Sequence, residues 1–419
     1  NQNNENLIVP GGNEEQSSDE VQSRFRTGSR SHKGHFSPQS TLHKMAEFGG
    51  DLSIFENQSL TLPGEAREIS SVELEALEIT QDIDGSTITR QEKERRMLER
   101  VKETHANMMK LSERKEEDEL LHRYEMMKSR KAKEELQDPH IGTVIDNQYK
   151  LTGIVGRGAA ATVYKARRLE DERIVAIKTI RKKGLEDVWR FNLEIGTMER
   201  LAHQNLVEFI DCIRKDKSEI YLIMELVKGI SLQDVLNIHG PILNHQTVWA
   251  VLNQIGDALN HAHSKGVIHR DLKANNVVLS KQINQPLLVK VLDFGLAKHA
   301  DAANITMHGK TLGSPLYMSP EQCIGQEPTK QSDIYSLGIL AYQIVSGVVP
   351  FIGETVTDIM SAHCDPDFHH FPLADVCPEL KNVEQFDLVI DRCLKHSVND
   401  RYKNIAEFQS DMKIWISSI

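Results

Sequence analysis

From Ile141 onward the apolar residues change period once, and the order of that change limits the folds open to the chain. Short β-rich runs come first: YKLTGIVG, TVYKARR, RIVAIKTI, LVEFIDCI and EIYLIMEL. Helical patterns follow: HQTVWAVLNQIGDALNHAHSKG, TKQSDIYSLGILAYQIVSG, QFDLVIDRCLKH and IAEFQSDMKIWI. Strands grouped ahead of helices predict an α+β protein, with a small sheet lobe and a larger helical lobe.

Two other textures precede this one. Residues 1–87 are rich in Asn, Gln, Ser, Glu and Gly, with short apolar patches only. Such a segment buries too little apolar area to offset the entropy of ordering, so a mostly disordered tail is expected. Residues 88–138 form a charged helical segment, free of Gly and Pro until Asp138-Pro139 stops it. Its apolar positions Met97, Val101, Met108 and Leu111, then Leu120, Tyr124 and Met127, give a broken 3–4 seam. Two readings stay open: a solvated single helix, and self-association through 88–137. Residues 139–419 are then the globular domain.

Composition excludes some functions. A net charge of −11 over 419 residues disfavours nucleic acid as a partner, because that needs clustered Lys and Arg to replace counterions. The most apolar run, LGILAYQIVSGVVPFI, is short and contains Gln343, so it reads as a buried helix rather than a membrane span. No signal-peptide pattern opens the chain. Five cysteines without a C-x-x-C pair fit a reduced, cytoplasmic protein. The segment His363 to Cys377 places three His near two Cys, but its spacing matches no zinc pattern, and solvent-facing His in a polar loop are expected there.

Several short stretches carry chemistry. In GRGAAATVYK, Gly156, Arg157 and Gly158 sit between β-rich runs, so they belong to a strand–turn–strand hairpin. The glycines do not open a helix, and no G-K-[ST] follows. Such a tip can lie over phosphates with its N–H groups inward; alone, it is equally an ordinary turn. RIVAIKTI sets Lys178 inside an apolar strand, where a buried charge needs phosphate or carboxylate partners, and Glu194 in the next helical stretch can supply one; taken alone, the two read more simply as an exposed lysine and an exposed helical glutamate. In VIHRDLKANNVVL, Asp271 can accept a hydroxyl proton, Lys273 can neutralise a transferring phosphoryl, and Asn276 can ligate Mg²⁺. In VKVLDFGLAK, Asp293 is a second hard-oxygen ligand at a strand end.

In order, these stretches, with TLGSPLYMSPEQ (Thr311 to Gln322) after them, resemble the protein-kinase signature: glycine loop, V-A-I-K, H-R-D-L-K-x-x-N, D-F-G and a P-E element. The resemblance covers about Tyr149 to Trp415 and is to eukaryotic-type serine/threonine kinases of the bacterial kind. It implies the bilobal kinase fold and transfer of the ATP γ-phosphoryl to Ser/Thr hydroxyls of protein substrates, with autophosphorylation. By this resemblance Lys178 holds the α- and β-phosphates and pairs with Glu194, Asp271 is the catalytic base, Lys273 meets the γ-phosphate, and Asn276 and Asp293 hold Mg²⁺. Met224 resembles the gatekeeper and Glu225 to Val227 the hinge, while Val163, Ala176 and Val278 sandwich adenine. His269 and Phe294 stack in the spine, Asp333 braces the catalytic loop, and Glu321 and Arg401 form the buried ion pair. Lys273 and Ser314 suggest Ser/Thr specificity. Arg270 before Asp271 resembles kinases whose activation loop is ordered by phosphorylation, with Thr306 and Thr311 as candidate sites.

Two residues depart from the pattern. Ser319 replaces an Ala, a mild change. Ala161 replaces the third glycine; if that position needs φ > 0, the mismatch costs roughly 0.5–1 kcal/mol. Ala161 is the one feature that favours the alternative, a nucleotide-binding pseudokinase or scaffold. Bacterial relatives often continue into a membrane helix, whereas this chain ends at IWISSI, so a soluble cytoplasmic enzyme is expected.

Overall fold

The computed structural model describes residues 60–61, 68–69, 79–81, 87–113, 138–157, 161–181, 198, 201–215, 219–280, 286–294 and 315–419. Contacts divide the chain into Asn1–Ile79 and Thr80–Ile419. The first unit holds a short antiparallel ribbon, Leu60–Thr61 with Glu68–Ile69; the tail expected over 1–87 otherwise lies almost wholly outside the described residues.

In the second unit the β-rich runs form one antiparallel sheet. Its strands are β1 (Val144–Ile145), β2 (Tyr149–Arg157), β3 (Ala161–Arg168), β4 (Ile174–Arg181), β5 (Phe209–Arg214) and β6 (Glu219–Glu225), in the order β1-β2-β3-β4-β6-β5. Alternation sorts the side chains onto two faces. Tyr149, Leu151, Tyr164, Val175, Ile177, Tyr221 and Ile223 pack on one face, and Ala176, Ile180, Ile220, Leu222 and Met224 on the other. The second face looks toward the helical lobe and carries Lys178, opposite Val163 on β3 and Leu222 on β6.

A small three-stranded sheet starts the helical lobe: β7 (Ile230–Ser231), β8 (Val277–Ser280) and β9 (Leu288–Val291). The helices are α2 (Leu232–His239), α3 (His245–Ser264), α4 (Pro320–Cys323), α5 (Lys330–Ser346), α6 (Val356–Cys364), α7 (Leu373–Val376), α8 (Val383–Cys393) and α9 (Ile405–Ser417). Asn244 caps α3 by accepting from the Thr247 N–H. Every residue of α5 from Ser332 to Ser346 is buried, which explains why the most apolar run of the chain begins there. Gly338 lets α8 close on α5, since a Cβ would lie 2.5 Å from the Cβ of Cys393. No helix among the described residues is long and apolar enough to cross a membrane.

The charged segment is helical from Arg90 to Glu113, here named α1, and 114–137 lie outside the described residues. It is not solvated all round. Val101 and His105 are buried, and Met97, Leu98 and Met108 pack on the core of the helical lobe. Arg90 reaches Asp365 at 3.3 Å and Arg100 reaches Glu354 at 2.9 Å. The part of the seam formed by Met97, Val101 and Met108, which the sequence offers for self-association, is covered by the chain's own helical lobe. Burying these side chains stabilises the docked helix more than its exposed ion pairs do, because a fully buried side chain such as Val101 contributes about 1.5–3 kcal/mol, the partly buried Met97, Leu98 and Met108 add smaller shares, and an exposed pair gives about 0–1.

Candidate active site

The cleft between the two lobes gathers residues far apart in the chain. From the sheet comes Lys178, whose Nζ lies 2.8 Å from Asp293 Oδ1. Asp293 follows β9 with φ of 52°. That left-handed geometry is uncommon for a residue with a Cβ, and here it accompanies a carboxylate held against Lys178. Glu194, the expected partner of Lys178, lies outside the described residues, as does Gly158.

The loop between α3 and β8 supplies the second group. Lys273 Nζ donates to Asp271 Oδ2 at 2.9 Å, and Asn276 Nδ2 donates to the Asp271 carbonyl at 2.8 Å. Asp271, Lys273 and Asn276 therefore sit together, as their spacing predicts.

A buried carboxylate sets the shape of this loop. Asp333, 1% exposed at the start of α5, accepts from the backbone N–H of His269 at 2.8 Å and of Arg270 at 2.9 Å. His263 Nε2 donates to it at 2.7 Å. Arg270 adopts φ of 67°, and Gln322 Nε2 holds its carbonyl at 3.0 Å. Three donors on one carboxylate offset the cost of burying it. His269 Nε2 donates to the Leu292 carbonyl at 2.8 Å, so Nδ1 accepts the Asp271 N–H at 3.3 Å. Burial holds the His269 imidazole below its usual pKa. Its ring packs on Phe294, centroids 4.6 Å apart.

The inner roof of the cleft is apolar. Val163, Ala176, Met224 and Val227 belong to one cluster with Leu292, and a small cavity beside Met224 reaches Asp293. Val278 lies in β8, buried. A Cβ on Gly229 would come within 2.6 Å of a Val278 methyl, so only glycine permits this approach. Gly156 and Arg157 end β2, paired with Val163 and Thr162. Ala161 begins β3 opposite Ile180 and is not among the residues with positive φ. The expected steric mismatch at Ala161 is therefore absent, because the position is ordinary strand.

Below the cleft, Arg401 grips Glu321 through two 2.8 Å bonds, and Ser332 Oγ donates to the same carboxylate at 2.6 Å. Burial works to raise the Glu321 pKa, but Arg401 and Ser332 outweigh it and the carboxyl is held below its usual range. Ser319 caps α4 with Gln322, whose Oε1 accepts the Ser319 N–H at 3.1 Å.

These features together match a known family. The protein kinase domain family covers residues 149–411. The chain belongs to the protein kinase family. The kinase is 32% identical to the serine/threonine-protein kinase pkn3 of Myxococcus xanthus over 287 residues, 66% of this chain and 51% of that protein. It is 34% identical to the serine/threonine-protein kinase PknB of Mycolicibacterium smegmatis over 278 residues, 64% of this chain and 43% of that protein. The chain thus spans about half the length, or less, of these curated relatives. The PknI kinase domain of Mycobacterium tuberculosis, a double mutant, superposes with a TM-score of 0.53 at 23% identity, covering 66% of this chain and 98% of that one; the bilobal kinase fold is shared.

Sequence reasoning overlooked three residues of the kinase. Lys290 Nζ bonds Glu225 Oε1 at 2.5 Å and the Leu206 carbonyl at 3.0 Å. This ties the connector between the lobes to β9. Its signal was legible, a lysine alternating with apolar residues in LVKV, as at Lys178. His263 and Gly229 carried no such signal, since their partners are distant in sequence. Two of the three His in the segment His363 to Cys377 differ from expectation: His363 is buried and bonds the Tyr335 hydroxyl at 2.8 Å, and His370 bonds Asp387 at 3.0 Å, while His369 is exposed as expected. The rings of His363 and His370 serve the core instead of a polar loop. Thr306, Thr311 and Ser314 lie outside the described residues.

Proposed function

We propose that this chain is a serine/threonine protein kinase that moves the γ-phosphoryl of ATP onto hydroxyls of protein substrates and of itself. The observation that carries the reading is the clustering of Asp271, Lys273 and Asn276 on one loop, opposite the Lys178–Asp293 pair. Asp271 accepts the proton of the substrate hydroxyl as its oxygen bonds to the γ-phosphorus and the bond to ADP breaks. Lys273, already 2.9 Å from that carboxylate, is positioned to follow the charge to the transferring group. Lys178 binds the α- and β-phosphates after leaving Asp293.

Hard oxygens of Asn276 and Asp293 suit Mg²⁺, which would screen phosphate charge when bound. Val163, Ala176, Met224 and Val278 would enclose the adenine ring, with hydrogen bonds from the backbone of Glu225 to Val227. Gly156, Arg157 and Gly158 would cover the phosphates. Glu194 is proposed to take over Lys178 in the catalytic state. Lys273, two residues beyond Asp271, favours Ser/Thr over Tyr. A pseudokinase reading loses its one support, since Ala161 sits in regular strand.

Incubating the chain and its Asp271→Asn variant with Mg-ATP, followed by intact-mass measurement, tests this. Added phosphate on the native chain and none on the variant is expected. No transfer to itself or to a generic protein substrate, with ATP binding retained, would overturn the reading.

A further inference from the structure

We infer that His105, Cys377 and Glu379 form a binding site for a zinc-like divalent cation that fastens α1 to the helical lobe. One donor atom from each residue lies within 4.8 Å of the other two. Two of the residues, His105 and Cys377, are buried at 4% and 0% exposure.

His105 makes the argument. Its Nδ1 is 2.6 Å from the Ser346 carbonyl. A carbonyl only accepts, so Nδ1 carries a proton. In the neutral ring Nε2 then keeps its lone pair. That nitrogen is buried and makes no hydrogen bond among the described residues, with Glu379 Oε2 at 3.5 Å. A buried acceptor without a partner is costly. A ring N–H on a backbone carbonyl is also the usual second contact of a metal-bound histidine, because it fixes the tautomer and the ring plane.

The other donors complete a mixed set. Cys377 Sγ lies 3.3 Å from the Val345 carbonyl; on coordination the thiol would release its proton and surrender that contact. Glu379 is 47% exposed, so it can turn inward while leaving a fourth position to water. Bonds of about 2.0–2.3 Å in a tetrahedron put donors roughly 3.3–3.8 Å apart. His105 Nε2 and Glu379 Oε2 already stand at such a separation, 3.5 Å, so what remains to close, on the order of an ångström, lies toward Cys377 Sγ. Imidazole and thiolate select zinc over magnesium or calcium.

The position gives the site a consequence. His105 belongs to α1, while Cys377 and Glu379 follow α7. On the same helix Val101 and Thr104 line a cavity with Gln233, Asn275, Tyr317 and Gln343, one residue from Asn276. A bound ion would hold that wall in place.

The test uses the full chain, stripped with chelator, loaded with Zn²⁺ alone and desalted. One equivalent of retained zinc is expected. Cobalt in its place should give a thiolate-to-cobalt absorption band. Both signals should be lost in Cys377→Ser and in His105→Gln, and kept in Asp293→Asn, which separates this site from the cleft. His105→Gln changes only α1, so its loss is readable even if Cys377→Ser fails to fold. No retained zinc, or equal retention in His105→Gln, would overturn the site and leave His105 and Glu379 as a plain ion pair. Zinc should also slow amide exchange in α1; unchanged exchange with zinc bound would overturn the fastening.

Discussion

Lys178 Nζ and Asp293 Oδ1 stand 2.8 Å apart across the cleft, joining the sheet lobe to the end of β9. The two residues proposed to hold phosphate and metal thus neutralise each other. A strand lysine 17% exposed needs such a partner. In Lys178→Met, phosphoryl transfer should fall by about 100-fold or more, since one fixed charge at the reacting phosphates is lost. Steady-state kinetics should show the loss in kcat/KM, while the melting temperature changes little.

Asp333 has a different task. It touches neither cleft charge but accepts from His263, His269 and Arg270. Asp333→Ala should destabilise the domain by about 3 kcal/mol, from donors left unsatisfied. It should also lower kcat, because Arg270 is no longer held left-handed beside Asp271. Urea unfolding and kinetics on the same preparation check both.

The Glu321–Arg401 pair is buried on both sides. Removing one partner strands a charge, at a cost of about 3–5 kcal/mol. Replacing both by apolar residues should cost less than the sum of the single changes. A double-mutant cycle in denaturant measures that coupling.

His363 makes stability depend on pH. Burial pushes its imidazole down to about 3, against about 6.5 for a free histidine. The folded form binds the proton less readily, so this contribution is complete above the unfolded pKa and is lost as pH falls from there toward 3. The slope per group approaches roughly 1.4 kcal/mol per pH unit. His363→Gln should flatten the decline in unfolding free energy between pH 7 and 5, relative to the parent chain.

Ala161→Gly restores the third glycine of the family pattern. Because Ala161 is ordinary strand, the KM for ATP should change by less than about twofold. Stability should drop by roughly 0.5–1 kcal/mol, the entropic cost of a glycine in a strand. A large gain in ATP affinity would refute the strand reading.

The sequence alone determined what local chemistry can determine. Asp271, Lys273 and Asn276 lie within six residues, so their meeting follows from one loop. The order of strands and helices followed from apolar period, and Lys178 announced itself as a charge in an apolar strand. Tertiary structure decided the rest, since the partners are remote in the chain. Lys178 meets Asp293 because β4 and the end of β9 share a cleft. Lys290 ties Glu225 to β9 for the same reason. The seam of α1 could be read as a self-association surface or as part of a solvated single helix, because an apolar stripe does not state what covers it. Only the folded helical lobe supplied the cover, and with it brought His105 to Cys377.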